Sequence, residues 1–180
     1  MQKLKEANYS VSQTVDADTL IVKTALDFAS DRRSVTVVAD DTDILVMLVH
    51  HMTQDMADIY MLSEMMRVRT AHTAITPVHV VQQNIGASNA EQLLLIHAIS
   101  GCDTTSALCG LGKSTVLRQF GRHPETLELN RVLCSATANY EQVADAGHKL
   151  LVLLYGGKEG VSLNHLRYIK YMQLIAKLCN

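Results

Sequence analysis

Five aspartates in three short clusters are the residues best suited to chemistry. Asp16 and Asp18 open an amphipathic run, Asp41 and Asp43 follow a β-branched run, and Asp103 follows an apolar run. Carboxylate oxygens are the preferred ligands of hard divalent cations, and two-metal hydrolysis of phosphodiesters needs several of them. Helix capping and turn formation are the simpler explanation for each cluster alone. Their common placement at the tips of structural elements favours a metal site.

The segment CGLGKST is the second candidate site. Gly110 and Gly112 allow a tight turn and a close approach of the backbone to a ligand. A helix is expected directly after them, and its first N–H groups can bind a phosphate. Lys113, Arg118 and Arg122 would give this corner a local positive charge. A plain packing corner between two helices is the alternative interpretation.

Two other kinds of site are excluded by spacing. A nucleotide phosphate loop, G-x-x-x-x-G-K-[ST], needs a glycine where Ala107 stands, and the segment that precedes the motif looks helical, not strand-like. The eight histidines form no H-E-x-x-H motif and do not pair with cysteine at zinc-finger spacing. We therefore predict neither a nucleotide cofactor nor zinc.

The composition bounds the class of protein. With 180 residues, 48% hydrophobic and 19% charged, the chain can bury a core. The net charge of -2 means that nucleic-acid binding would need a local basic patch. The absence of a long apolar run or an apolar leader predicts no membrane partner and an intracellular location. The four cysteines form no CxxC pair, so we expect free thiols.

The first part of the chain is predicted to be α/β. Helical periodicity extends from residue 16 to about residue 30, and residues 35–39 form a β-branched run typical of a buried strand. A helix is expected after the acidic turn, around residues 44–49. Further strands are expected at residues 58–62 and 66–70.

The signals become helical from Thr76. Thr76 is a plausible N-cap with Pro77 at the first helical position, and Gly86 would end that helix. Ser88 with Glu91 predicts a capping box for the next helix. The helices predicted from here on cover residues 89–100, 113–120, 125–134, 140–155 and 163–178.

The predicted organisation is an α/β part followed by a helical part. We assign residues 1–75 to the α/β core and residues 76–135 to a helical region that contains a Gly-x-Asp sequence and a glycine hairpin. Residues 136–180 form C-terminal helices of unknown role.

The order of these motifs resembles the nuclease core of the flap endonuclease/XPG group, within the PIN-like superfamily. The resemblance covers roughly 100 of the 180 residues, from Asp16 to about Phe120. In order, its motifs are Asp16-Ala17-Asp18, the strand that leads to Asp41-Thr42-Asp43, Gly101-Cys102-Asp103, and Gly110-Leu111-Gly112-Lys113.

The resemblance implies a fold and an activity. The fold would be a partial PIN-like (Rossmann-like) three-layer α/β core with few strands, followed by an all-helical region with a helix-hairpin-helix. The activity would be metal-dependent hydrolysis of nucleic acid, DNA favoured over RNA, with two Mg²⁺ or Mn²⁺ ions, and the nucleus is a suitable location. The implied catalytic and metal-binding residues are Asp16, Asp18, Asp41, Asp43 and Asp103. The implied nucleic-acid-binding residues are Gly110, Gly112, Lys113, Ser114 and Arg118.

Two departures from the family keep other interpretations open. The family core begins with an aspartate-bearing strand, whereas a short polar segment precedes Asp16. A missing N-terminal segment or a protein partner would then complete the sheet. The family also prefers glutamate at the positions of Asp16 and Asp18. The alternatives are an inactive nuclease-derived module that binds nucleic acid or protein, and a helical domain that docks through residues 163–178.

Overall fold

The computed structural model describes residues 7, 9–12, 14–63, 75–158 and 160–178. The protein is mixed α/β, about 59% helical, with a small three-stranded sheet. It divides into two compact units, residues 1–87 and 88–180. The domain limits expected after residues 75 and 135 stay predictions. Within the described ranges, every helix is too short or too polar to cross a membrane.

The first unit combines helices with the sheet. Strand β1 pairs in parallel with β2, with Val35 opposite Ile59, and β3 pairs antiparallel with β2, in the order β1-β2-β3. The bounds are α1 Ala17–Ser30, β1 Val35–Val38, α2 Thr42–His51, β2 Ile59–Leu62, β3 Ile75–Pro77 and α3 Val78–Ile85.

The core of the first unit forms where the apolar periodicity predicts it. Helix α1 buries Val22, Ala25 and Ala29, which recur at helical spacing, and α2 buries Leu48 and Val49 completely. Full burial of a leucine side chain contributes about 1.5–3 kcal/mol relative to exposure. Helices α1 and α2 pack against each other, and α1 also packs on β1.

Strand β1 is only half-buried. Val37 faces the core, whereas Thr36 is exposed and Val38 is 62% exposed. The prediction of a buried strand is therefore correct for one face only. Among the described residues, β1 pairs with β2 alone, so its other edge has no strand beside it. The strand expected at residues 66–70 lies outside the described residues.

The helix predicted to start at Thr76 begins later. Thr76 and Pro77 belong to β3, where Thr76 lies opposite Met61, and α3 starts at Val78 without a side-chain cap. The capping prediction was wrong because pairing with β2 outweighs a local cap signal. β3 is the last strand of this sheet, and a proline is tolerated in such an edge strand. Gly86 ends α3 as expected.

The second unit is helical. Its buried core comes from several helices and from the segment between α5 and α6. The bounds are α4 Ala87–Glu91, α5 Leu93–Ser100, α6 Lys113–Arg122, α7 Thr126–Leu133, α8 Tyr140–Leu154 and α9 Leu163–Leu178. Helix α4 begins at Ala87, which is the last residue of the first unit. The core residues are Ile96, Leu111, Val116, Phe120, Leu150 and Leu154.

The capping box predicted at Ser88 and Glu91 was also wrong. Ser88 lies inside α4, where the buried Gln92 donates from Nε2 to the Ser88 carbonyl at 3.0 Å and to its hydroxyl at 3.2 Å. The backbone of Gln92, at φ -98° and ψ 3°, leaves helical geometry and separates α4 from α5. Glu91 lies 3.5 Å from Arg131. One predicted helix is thus two.

Candidate functional site

The carboxyl ends of β1 and β2 form the first candidate site. Asp40 and Asp41 follow β1, Ser63 follows β2, and the Ser63 hydroxyl donates a hydrogen bond to the Asp40 carboxylate. Because β1 and β2 are parallel, these residues lie at the same edge of the sheet. Open α/β sheets bind their ligands at this edge. We call Asp40, Asp41 and Asp43 the acidic edge.

Asp41 and Asp43 are held by the start of α2. Asp41 is the N-cap, and its Oδ1 accepts a 2.8 Å hydrogen bond from the backbone N–H of Asp43. Both residues are half-buried. The positive end of the helix dipole favours carboxylates here, so these charges also stabilise the helix.

Asp16 and Asp18 lie together at the start of α1. Asp16 is the N-cap, and its carboxylate accepts from the Thr19 hydroxyl at 2.5 Å and from the Thr19 N–H at 3.2 Å. These bonds, the hydroxyl contact first, hold the pKa of the exposed Asp16 below its usual value. Asp18 is half-buried in the first turn. The capping role expected of Asp16 is confirmed.

Asp103 lies in the second unit, exposed in a turn after α5. The turn is closed by backbone hydrogen bonds between Cys102 and Thr105, and the Thr105 hydroxyl donates to the Ala98 carbonyl at 2.6 Å. This last bond satisfies a carbonyl near the end of α5. Gly101 has a φ of +95°, and a side chain there would lie 2.9 Å from Ala107.

The segment that leads to Gly110 is not helical. Residues 101–112 form turns and extended backbone between α5 and α6. The helix predicted before it ends at Ser100, as α5, which confirms the predicted stop at Gly101. The positive φ of Gly101 and the closed turn at Cys102 end the helical hydrogen bonding.

In the glycine segment, residues 108–112, the buried side chain of Leu111 lies between the exposed Gly110 and Gly112. The Leu111 N–H donates to the Leu108 carbonyl, Gly110 has a φ of +77°, and the Leu111 side chain is 6% exposed. Gly112 is the N-cap of α6 and brings no side chain to cap it. The predicted helix after the glycines is confirmed.

Helix α6 displays the remaining predicted phosphate contacts. Ser114 and Arg118 are exposed, one turn apart on one face, and Lys113 is exposed at the first position. Val116 and Phe120 on the opposite face are fully buried. Lys113 lies at the helix end where a cation is electrostatically disfavoured, so this charge does not stabilise α6.

The sequence prediction missed the basic side chains of α9. Together with residues 108–111 and the end of α8, this helix lines a groove of about 830 Å³ that contains Arg167, Lys170 and Lys177. We call it the cationic groove. Gly110 lines it, whereas the other four predicted nucleic-acid-binding residues do not. The available signal was a sequence of sixteen residues, 163–178, without aspartate or glutamate.

The pair His97 and Cys102 was also missed. A ring nitrogen of His97 and the Cys102 sulfur lie within 4.8 Å of each other. The hydroxyls of Thr104 and Thr105 hydrogen-bond the sulfur and lower the pKa of the thiol, with Thr104 the larger cause. Cys102, Cys109 and Cys134 are free thiols. Two ligands alone do not define a metal centre, which needs three or four.

Comparisons with protein-family models, curated proteins and solved structures find no match for this chain.

Proposed function

We propose that the protein is a metal-dependent nuclease-like domain that hydrolyses phosphodiester bonds in nucleic acid, with DNA favoured over RNA. The observation that carries the proposal is the position of Asp41 and Asp43 at the start of α2, the helix that follows β1 at the carboxyl end of a parallel strand pair. The PIN-like three-layer core, the helix-hairpin-helix and a further strand or partner beside β1 belong to the same proposal. An intracellular, nuclear location stays a prediction.

The chemistry of the donors at the acidic edge fits Mg²⁺ or Mn²⁺. Asp40, Asp41, Asp43 and Ser63 offer oxygen ligands, which hard cations prefer. Asp41 and Asp43 would hold a metal ion there. Such an ion lowers the pKa of a bound water and neutralises charge on the leaving oxygen. By the resemblance, a second ion is expected, and the ligand set also includes Asp16, Asp18 and Asp103.

The chain's own residues would orient the ligands and bind the substrate. The hydrogen bond from the Asp43 N–H holds Oδ1 of Asp41 in place. The second carboxylate oxygen of Asp41 is then the one that would bind a metal ion. The segment Gly110–Ser114 and Arg118 would contact backbone phosphates, which positions nucleic acid without reading its sequence.

Cleavage of a branched DNA in Mg²⁺ tests the proposal. The double variant Asp41→Asn/Asp43→Asn removes two metal-binding charges, while asparagine at position 41 still caps α2. We expect cleavage to fall about 100-fold or more, because metal stabilisation of the transition state contributes several kcal/mol.

Asp58→Asn is the matched control. Asp58 precedes β2 and therefore lies at the amino end of the strand, away from the acidic edge. It removes one carboxylate charge, against two in the double variant, and should leave cleavage unchanged. Equal cleavage by the double variant and the wild type would overturn the assignment of Asp41 and Asp43.

A nucleic-acid-binding module without hydrolysis is the second candidate. It is favoured because N-capping already accounts for the positions of Asp16 and Asp41. Calorimetric titration with Mn²⁺ separates the two candidates. Binding that disappears in Asp41→Asn/Asp43→Asn supports the metal site, and absence of any Mn²⁺ binding supports the module.

A further inference from the structure

The cationic groove lies within the second unit and has two different walls. One wall is the glycine segment, where Leu108 and Gly110 line the groove, and the other is helix α9. The Tyr155 hydroxyl donates a 2.9 Å hydrogen bond to the Cys109 carbonyl, which ties the glycine segment to the end of α8. The groove volume of about 830 Å³ suits part of an extended ligand.

One face of α9 supplies the groove with both charge and apolar surface. The spacing of these residues, three or four apart, places them on one side of the helix. From Arg167 to Lys177 the face extends about 15 Å along the helix axis. Among its groove-lining residues are Leu166, Arg167, Lys170, Tyr171, Leu174 and Lys177.

The charge of the groove is positive and is not neutralised within it. Its lining includes Arg167, Lys170 and Lys177 and, among the residues that the structure describes, contains no aspartate or glutamate. In the described ranges, neither Lys170 nor Lys177 forms an ion pair. A cleft that concentrates charge of one sign attracts a ligand of the opposite sign.

An exposed aromatic ring accompanies these cations. Tyr171 is 60% exposed and Leu174 is 55% exposed, although both lie on the groove-lining face of α9. Successive bases of a single strand stack on aromatic side chains while cations follow the backbone. A duplex keeps its bases stacked inside and offers no free base face to Tyr171.

We propose that the cationic groove binds single-stranded nucleic acid, with backbone phosphates on Arg167, Lys170 and Lys177 and a base stacked on Tyr171. This goes beyond the proposed hydrolysis, on which it rests only for the class of polyanion, and it needs no metal ion. An acidic protein segment would match the charge, but its charged units are not each linked to a flat ring, as the phosphates of a nucleic acid are.

Fluorescence anisotropy with a labelled oligothymidine tests the proposal on the whole chain, in EDTA and over a series of salt concentrations. Three phosphate contacts predict a slope of about -2 for log affinity against log salt concentration. Lys170→Gln/Lys177→Gln should reduce the slope to about -0.7 and weaken binding at low salt.

Tyr171 separates stacking from charge. Tyr171→Ala should weaken binding about 5- to 100-fold without changing the salt slope, whereas Tyr171→Phe should retain the wild-type affinity. Lys149→Gln is the charge control for a single Lys170→Gln, since it removes one lysine from another groove of the same unit. Far-UV circular dichroism and the thermal midpoint verify that each variant folds.

Three results would overturn the proposal. They are an unchanged salt slope in Lys170→Gln/Lys177→Gln, competition by polyglutamate as strong as that by oligothymidine, and tighter binding of a blunt duplex than of the single strand. The binding assay contains EDTA and is therefore independent of the metal-dependent cleavage. If the protein binds the oligothymidine but does not cut DNA in Mg²⁺, only the proposed hydrolysis is refuted. If the protein cuts DNA but Lys170→Gln/Lys177→Gln binds the oligothymidine as the wild type does, only the proposal for the cationic groove is refuted.

Discussion

Two grooves of the second unit have similar size but opposite use of charge. The cationic groove has a volume of about 830 Å³ and the second groove one of about 870 Å³, and Gln119 and Gly156 line both. We call the second one the mixed groove, because Glu125, Glu128, Asp145, Lys149, His123 and His148 line it.

Two pairs of opposite charges lie within the lining of the mixed groove, and its Glu128 pairs with Arg131 outside it. Lys149 lies 2.7 Å from Asp145, and His123 lies 3.0 Å from Glu125. For the cations of the cationic groove, the described part of the lining contains no carboxylate side chain. We infer that the paired charges of the mixed groove stabilise the fold, whereas the cations of the cationic groove are available to bind a ligand.

The largest effect on stability that sharpens this comparison is expected at the glycine wall of the cationic groove. Gly110→Ala places a side chain on a backbone with a φ of +77°, which costs about 1–2 kcal/mol of unfolding free energy. Gly112→Ser is the control, since its φ is -75°, no atom lies within 4 Å of the new Cβ, and serine is at least as good an N-cap as glycine. Urea denaturation measures both. Equal destabilisation by the Gly110 variant and the Gly112 control would mean that the positive φ of Gly110 does not determine the backbone of this wall.

A smaller effect is expected from Tyr155→Phe. Loss of the hydrogen bond to the Cys109 carbonyl should lower the unfolding free energy by about 0.5–1 kcal/mol near neutral pH. Burial raises the pKa of the Tyr155 phenol, Cys109 adds to the rise, and Arg167 opposes it.

The pH dependence of Tyr155→Phe follows from this direction. A raised pKa in the folded state means that the stabilisation is complete below pH 10.0 and is lost as the pH rises through the folded value. The difference between wild type and Tyr155→Phe should therefore narrow above about pH 10. A constant difference from about pH 8 to pH 11 would contradict the role of this hydroxyl.

The smallest effect compares one lysine from each groove. Lys149→Gln should lower stability by about 0.3–0.5 kcal/mol at low salt, because it breaks the i,i+4 pair with Asp145. Lys170→Gln should leave stability unchanged. Thermal unfolding at low and high salt measures both, and a larger loss for Lys170→Gln would reverse the distinction between the grooves.

Local signals predicted the elements that local interactions decide. The N-cap at Asp16 and the buried spacing of α1 were both visible in the sequence, as was the β-branched run of β1. The capping box of α8 at Asn139 and Gln142 agrees with its predicted start at Tyr140. These features depend on residues within one or two turns of each other.

One error occurred where a distant strand competes with a local signal, and another where the backbone leaves helical geometry within a single turn. Thr76 and Pro77 pair with β2 instead of starting a helix, and the amide of Gln92 turns back to Ser88 and divides a predicted helix. The five candidate aspartates could be identified from sequence. The cationic groove could not, because only the packing of α9 against α8 and the glycine segment shows which face of α9 lines it.

The outer edge of β1 has a consequence for the protein in concentrated solution. In the part of the chain that the structure describes, the four residues of β1 have a strand on one side only, and Val38 next to that edge is 62% exposed. An uncovered edge is a template for pairing between copies, and charged side chains normally protect it. The sequence VTVV of β1 carries no charged side chain, so aggregation is expected to start at this edge wherever no further strand or partner covers it. Replacement of Thr36 by lysine is the simplest protection against it.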